Sequence, residues 1–585
     1  METIAALLQA RLAAAAGTPD AGIQPANDPR FGDYQTNVAM ILAKQRKANP
    51  RALAQEIIAK LEVADLAEPP EIAGAGFINF RLKPEWVATR MSELIADPRL
   101  GVPQPATPRK FVVDFSSPNV AKPMHVGHIR STILGDALAR IASFIGHEVV
   151  RDNHIGDWGT QFGMLLVGWK TELNREALEQ DALSEMERIY KLISARSKEE
   201  PELLARIHGE LVKLQGGDEE NLRIWREMIR LSQRQFDEIY ARLGIRFDVT
   251  LGESFYNAEL QPLVQELIDR GLARESEGAI CVFSDESGPP EKDPFLIKDQ
   301  AGWRPNPALV RKKDGAANYT TTDLATLQYR LREWSPDEIA YVTDGRQQLH
   351  FRQIFSIFAR WKPEAAAHVR LAHVWFGSIL GEDGKPFKTR SGETVRLAEL
   401  LDEAEERALA IVREKTPSLP PDEAREIARR IGLGAVKYAD LLPNRQSDYV
   451  FSWDRMLSFA GNTAPYLQNA YVRIRSIFRK LAEEKLPEAD AAQPLAFTDP
   501  AEITLAKKLL QFGEIVPQIL DDYRPNLLAN YLFELAALYH SFFEACPVLR
   551  SEPQVRNTRL LLCSATADIL RQGLNLLGIE VPERM

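Results

Sequence analysis

Residues Ser116 to Thr132 read SSPNVAKPMHVGHIRST, and the fold is decided by how this stretch joins its neighbours. The run before it, FVVDF at Phe111–Phe115, is β-rich and mostly apolar, as a strand buried on both faces of a parallel sheet is. Pro118 and Pro123 then forbid continuous helix. From His128 the period changes: Ile129, Ile133, Ala137, Ile141 and Ile145 fall four apart, Leu134 and Leu138 lie beside them, and Gly146 supplies a C-cap. HEVVR at His147–Arg151 predicts the next strand. The unit is βαβ. Its first turn lies at the carboxyl end of a strand and faces a helix N-terminus, where free amides and the helix dipole attract anions.

In that turn each residue type suits ATP. Gly127 lacks a Cβ, so a purine or ribose can approach the backbone, while His125 and His128 can donate to phosphate oxygens and Lys122 adds a point charge. A bare HxxH is more often two helix-surface histidines or half of a metal site. Zinc, however, calls for a third and usually a fourth ligand at recognisable spacing, and the sequence holds neither HExxH nor a cysteine pair. No protein-held metal, zinc included, is expected.

A chain of 585 residues holds about three or four domains at roughly 150 residues each, and 45% hydrophobic residues suffice for several cores. Cys281, Cys546 and Cys563 are far apart, so neither a disulfide framework nor a zinc ribbon is expected and a reducing cytoplasm is the natural location. The opening METIAALLQARLAAAAG has no basic leader, and Gln9 and Arg11 interrupt its apolar run, which makes it an amphipathic helix and not a signal peptide. No stretch reaches membrane-spanning length. The net charge of −10 argues against a nucleic-acid partner in general, although local basic patches remain. One is YVRIRSIFRK at Tyr471–Lys480, which taken alone reads best as a solvated helix face.

Composition along the chain predicts a multidomain α/β protein. Residues 1–108 form an N-terminal α+β domain with a strand-like AGAGFINFRL at Ala73–Leu82, and Pro98, Pro103, Pro105 and Pro108 mark the linker that ends it. Residues 109–400 form a doubly wound parallel-sheet core, Rossmann-like and of the HUP kind, with about 171–300 read as insertions. Alternation resumes with ALVRKKDGAANYTTTDLATLQYRL, EIAYVTDGRQQLHFRQIFSIFARW and HVRLAHVWFGSIL, which read strand, helix, strand, helix, strand. A helical connector at 401–455 and a helical bundle at 456–585 complete the chain. Leu528, Leu532, Leu535, Tyr539 and Phe542 make one buried stripe of that bundle.

HVGH at His125–His128 resembles the HIGH signature of class I aminoacyl-tRNA synthetases, and the longer SSPNVAKPMHVGHIRST resembles the arginyl-tRNA synthetase form of it. DNHIGDWGTQFG at Asp152–Gly163 is similar to a second block of that family; its internal HIGD follows the second strand and so is not a second phosphate turn. The segments NTAPYLQNAYVRIRSIF and PNLLANYLFELAALYHSFFEACPVL resemble the family's anticodon-binding domain, and GDYQTNVAM at Gly32–Met40 its extra N-terminal tRNA-binding domain. The resemblance covers nearly the whole chain. It implies arginine–tRNA ligase activity: L-arginine and ATP, with Mg2+ on the ATP phosphates, give arginyl-adenylate, and arginine then passes to the 3′ end of tRNA(Arg).

The resemblance also implies roles for single residues. Asp114, Asn119, Tyr319, Asp323 and Gln347 match arginine-contacting positions, although by sequence alone Asp323 is as good an N-cap and Tyr319 could be core. The KMSKS counterpart is FKTRS at Phe387–Ser391, where Lys388 and Arg390 are the remaining cations and Lys122 is expected to assist them. Without the other blocks KTRSG reads as an ordinary basic loop. Phe77 and Asn79 match positions that touch the tRNA D-loop, and Arg473 and Arg475 face the anticodon end. The protein is expected to be monomeric. A cysteinyl- or glutamyl-type synthetase fits less well, because no zinc-binding Cys/His set is present and the acidic residues suit a cation. A catalytically silent paralogue would lack the HVGH histidines, and an HxxH hydrolase would carry a bound metal.

Overall fold

Strand β1, Lys110–Asp114, is the centre of a five-stranded sheet whose neighbours all run parallel to it. The structure, a computed structural model, describes residues 1–26, 28–387 and 395–585. On one side lie β2 (Glu148–Ile155) and β3 (Val249–Gly252), and on the other β4 (Glu338–Tyr341) and β5 (Arg370–His373). The spatial order β3-β2-β1-β4-β5 reverses direction between β1 and β4. That reversal opens a crevice at the carboxyl ends of the strands, the usual ligand position in such sheets. The expected doubly wound core is therefore present.

Helix α1 runs Val126–Ile145, with His125 as N-cap and Gly146 at φ 112 as C-cap. Its apolar positions Ile129, Ile133, Ala137, Ile141 and Ile145 are all buried, and they hold the helix on the sheet through the hydrophobic effect. Helix α2 (Glu219–Leu243) closes a group of helices at Arg175–Gln180, Ala182–Arg196 and Pro201–Gln215. Helices α3 (Tyr319–Trp334) and α4 (Gln348–Trp361) follow later in the chain.

Two sequence expectations are corrected here. Not all of 171–300 is insertion, because Val249–Gly252 is the edge strand β3 of the central sheet. Its short run, VTLG, offers too few apolar residues to signal a strand. Conversely, Ala308–Arg311 is not a strand of the parallel sheet. It pairs antiparallel with Ala279–Val282, which in turn pairs with Ala273–Ser276.

The chain divides into two compact units, one of residues 107–411 with 439–454, the other of 1–106, 412–438 and 455–585. The stretch 401–455 is thus shared between them. Within the second unit the N-terminal residues form a four-stranded antiparallel sheet, in the order Gln24–Pro25, Tyr34–Thr36, Phe77–Phe80, Glu71–Ala73. Helix Ile4–Ala16 buries Ile4, Leu8, Leu12 and Ala16. The C-terminal part is helical, and Leu528, Leu532, Leu535, Tyr539 and Phe542 form the buried stripe of Asn526–Ala545. Among the described residues no helix is long and apolar enough to cross a membrane.

The two ends of the sequence are clasped together in this unit. Glu514 Oε1 accepts from the Ala5 amide at 2.8 Å and from the Tyr34 hydroxyl at 2.9 Å, while Lys507 donates to Asp33 at 2.8 Å. Burial pushes the Glu514 carboxyl up to about 6, against the hydrogen bonds that oppose the shift. A folded-state pKa above the unfolded value gives stability that is present at low pH and lost as pH rises through about 6. At about 1.4 kcal/mol per unit this amounts to about 2 kcal/mol. In urea unfolding, the stability of the native chain relative to Glu514→Gln should therefore fall by about that amount between pH 4 and pH 7. A difference independent of pH would contradict the role assigned to this carboxyl.

Candidate active site

Strain is concentrated in the turn that follows β1. Ser116, Ser117 and Ala121 have φ of 72, 48 and 63, a region that side chains other than glycine rarely enter. Side chains from three elements hold it. The Ser116 amide donates to Ser131 Oγ at 2.8 Å, the Ser117 amide to Asn153 Oδ1 at 3.1 Å, and the Ala121 amide to Ser232 Oγ of α2 at 3.0 Å. Asn119 is exposed at the tip, and its Oδ1 fills the space that a Cβ on Gly156 would occupy, at 2.3 Å.

The two signature histidines cap their own helix. The Gly127 amide donates to His125 Nδ1 and the His125 amide to His128 Nδ1, each at 3.0 Å, so both rings use Nδ1 as acceptor. Each neutral ring then carries its proton on Nε2, the nitrogen left free to donate. Burial lowers both pKa values, that of His128 to about 3, and the rings lie 4.0 Å apart. The pair therefore offers uncharged donors at neutral pH. Gly127 has a reason beyond close ligand approach: a Cβ there would lie 2.8 Å from the His125 ring. Lys122 stands beside this turn with Nζ 5.0 Å from the Tyr190 ring.

Asp114 is not free to meet a ligand's guanidinium, because it already holds one. Arg330 of α3, fully buried, places Nη2 2.7 Å from Asp114 Oδ2 and 2.7 Å from Asp152 Oδ2, bridging the residues that stand opposite each other on β1 and β2. Asp114 Oδ1 accepts from Ser117 Oγ at 3.1 Å. The arginine-contacting role read for Asp114 is thus replaced by a structural one. One helical face of α3 carries Tyr319, Asp323, Thr326 and Arg330 in succession.

A second acidic group, unmarked in the sequence reading, lies on Asp323's side of the crevice. Glu253 follows β3 directly, in the short helix Glu253–Tyr256. Desolvation pushes its carboxyl up to about 8, and the charges of Asp323 and then Asp157 add to the rise. Among the described residues no cation pairs with it. Asp157 fixes this turn by accepting from the Ser254 amide at 2.8 Å and its hydroxyl at 2.6 Å, which gives the DNHIGDWG block its purpose. Asp323 sits in the second turn of α3, where Asn318 is the N-cap, so it is not a capping residue. It accepts from His350 Nε2 at 2.5 Å. Tyr319 is 61% exposed, its ring 4.7 Å from that of His350, and so is no core residue. Gln347 is exposed at the entry to α4. The structure thus brings Tyr319 and Asp323 together at the His350 ring and sets Glu253 within electrostatic reach of Asp323, while Gln347 lies three residues before His350 at the entry to α4.

Residues 90–453 match the family described as tRNA synthetases class I (R), catalytic domain; 467–585 match the DALR anticodon binding domain and 2–82 the arginyl tRNA synthetase N-terminal domain. The chain belongs to the arginyl-tRNA synthetase family. It is 48% identical to the arginine–tRNA ligase of Laribacter hongkongensis over 593 residues, covering 100% of both chains. It is likewise 48% identical to that of Chromobacterium violaceum, covering 99% of this chain and 98% of the other. Among solved structures, the arginyl-tRNA synthetase of Plasmodium falciparum superposes with a TM-score of 0.83 at 29% identity, and that of Thermus thermophilus with 0.82 at 27%, each covering 100% of both chains.

In this synthetase the segment that follows β5 is held at both flanks of the KMSKS counterpart. Ile379–Leu380 pairs in parallel with Tyr449–Val450, and Phe387 stacks on Phe451 at 4.4 Å. Further along, Val395 accepts from the Val126 amide and Leu397 donates to Met124, both at 2.9 Å. Arg130 of α1 fastens the first flank, donating to the Gly377 carbonyl at 2.7 Å and pairing with Asp440 at 2.9 Å. Lys388 and Arg390 themselves lie outside the described residues. At the positions expected to meet tRNA, Asn79 is 5% exposed with Oδ1 buried, and Phe77 is half-buried beside it. Arg473 is exposed and its guanidinium lies 5.7 Å from the Phe543 ring, whereas Arg475 pairs with Glu583 at 3.2 Å. The structure separates these two arginines.

The cap and the donor functions of the histidines can be parted. Asparagine keeps an acceptor near the Nδ1 position but has no group at Nε2. His125→Asn and His128→Asn should thus keep most of the stability, whereas His125→Ala and His128→Ala should lose about 1 kcal/mol with the cap. All four should lower the activation rate by about two to three orders of magnitude, the scale of one lost preorganised donor. Thermal unfolding and pyrophosphate exchange measure the two effects, and near-normal exchange by either asparagine variant would remove the donors from the chemistry.

Proposed function

We propose that this synthetase activates L-arginine with ATP and charges tRNA(Arg) through a division of labour between an acidic recess and a neutral donor turn. The observation that carries this reading is Glu253, a half-buried carboxyl without a cation among the described residues, beside Asp323. A guanidinium is planar, permanently charged and rich in donors, and so suits two neighbouring carboxyls, Glu253 with no cation among the described residues and Asp323 with the His350 ring as its partner. Tyr319 and Gln347 flank it, and Asn119 meets the amino-acid end of the substrate.

The arginine carboxylate oxygen bonds to the α-phosphorus of ATP, and the bond from that phosphorus to the β-phosphate bridging oxygen breaks. Arginyl-adenylate and pyrophosphate result. A terminal ribose hydroxyl of tRNA then attacks the arginyl carbonyl, and AMP leaves. No side-chain nucleophile is required, because the residues position the reactants and stabilise growing charge. His125 and His128 donate through Nε2 to phosphoryl oxygens without competing as fixed charges. Gly127 leaves room for the nucleotide. Lys122, Lys388 and Arg390 balance the departing pyrophosphate, and Mg2+ enters with the ATP phosphates as part of the substrate. Asn79 and Phe77 receive a tRNA base, and Arg473 with Phe543 offers a charged, stacking surface to the anticodon end; Arg475 supports the same helix. The protein acts as a cytoplasmic monomer.

The thin cationic set at Lys388 and Arg390 makes activation dependent on tRNA. Pyrophosphate exchange assayed with each amino acid should respond to arginine and appear on adding tRNA. Glu253→Gln and Asp323→Ala should each raise the KM for arginine by about a hundredfold, within the roughly 2 to 5 kcal/mol lost when a desolvated charge pair loses a partner, and leave the KM for ATP unchanged. Exchange with another amino acid, or equal effects on both substrates, would overturn the reading.

A further inference from the structure

Arg330 is a fully buried charge that the chemistry above does not use. Its guanidinium is fully buried, pairs with Asp114 and Asp152 at 2.7 Å each, and lies 5.3 Å from the Tyr341 ring at the end of β4. One side chain therefore ties α3 to three adjacent strands. It costs several kcal/mol to bury such a group, and a well-packed apolar cluster would hold a helix on a sheet as firmly. Burying charge here achieves directional register, which apolar packing does not give.

The register matters because of what α3 carries. Asp323 lies two turns before Arg330 on the same face, and Tyr319 one turn before that. Glu253 stands at the end of β3, next to β2, which supplies Asp152. The Arg330–Asp152 bond thus fixes how far Asp323 stands from Glu253. A guanidinium bridging two carboxylates needs a defined spacing, whereas an ammonium is a compact point charge that tolerates more.

We infer that Arg330 is a positioning residue for amino-acid specificity: by fixing the spacing of Asp323 and Glu253 it makes the recess select a guanidinium over an ammonium. The inference rests on the reading of those two carboxyls as the guanidinium acceptors. Lysine in place of Arg330 keeps the charge but cannot fork to two carboxylates, so α3 shifts on the sheet.

The test uses the full-length Arg330→Lys protein in pyrophosphate exchange with tRNA present, with arginine, lysine and ornithine as substrates. The KM for arginine should rise about a hundredfold, the usual cost of a misplacement of about 1 Å, with the KM for ATP within about twofold of the native value. The ratio of kcat/KM for arginine over lysine should fall at least tenfold. A native ratio, or a parallel loss for arginine and ATP, would overturn the inference. Should Arg330→Lys fail to fold, Asp152→Asn, which keeps an acceptor and removes one charge, must show the same split in weaker form, and its absence would equally overturn it. If Asp323→Ala and Glu253→Gln leave the KM for arginine unchanged, the acceptor assignment fails. If they raise it and Arg330→Lys does not, only the role of Arg330 fails.

Discussion

Asp114 at the end of β1 and Asp152 opposite it on β2 stand in register, and they can be buried side by side only because Arg330 lies between them. Breaking such an arrangement by removing one partner typically costs about 3 to 5 kcal/mol, since the remaining charge stays buried. Everything around the crevice takes its place from this ion cluster. Asp114 holds Ser117 and so the strained turn that leads to His125. Asp152 belongs to the block whose Asp157 holds Ser254, next to Glu253, and Arg330 belongs to the helix that carries Asp323.

The site keeps two kinds of electrostatics apart. At the helix start, imidazoles that accept from backbone amides are held neutral and offer Nε2 protons to an anion. Beyond the sheet ends, desolvation, with the charge of Asp323 adding to it, pushes the Glu253 carboxyl up to about 8. The first arrangement suits phosphates and the second a cation. A substrate that is cationic at its side chain and must react with a polyanion needs both, separated, in one crevice.

Much of this was legible in the sequence. The four-residue spacing from Ile129 to Ile145, with Gly146 behind it, is a strong helical signal, and the strand before Pro118 sets the direction of the sheet. What escaped did so for physical reasons. VTLG at β3 is a short edge strand inside a charged helical stretch, so Glu253 was hidden in what read as insertion. Asp114 was read as a substrate ligand because its partner Arg330 lies 216 residues away, a distance that no local pattern spans. Asp323 looked like a cap because it stands near a helix start; only the position of Asn318 shows otherwise. Arg473 and Arg475 read as one patch, yet two positions along a helix are about 200° apart, and Glu583 takes the second.

The central claim is that arginine's guanidinium enters between Glu253 and Asp323. With the Glu253 carboxyl pushed up to about 8, it is mostly protonated at pH 7 in the free protein, and a guanidinium bound there must drive that proton off. The direct measurement is calorimetric titration of the protein with arginine at pH 7 in buffers of different ionisation enthalpy. The account predicts release of close to one proton per arginine bound, lost in Glu253→Gln. Arginine binding with a heat independent of the buffer would contradict it.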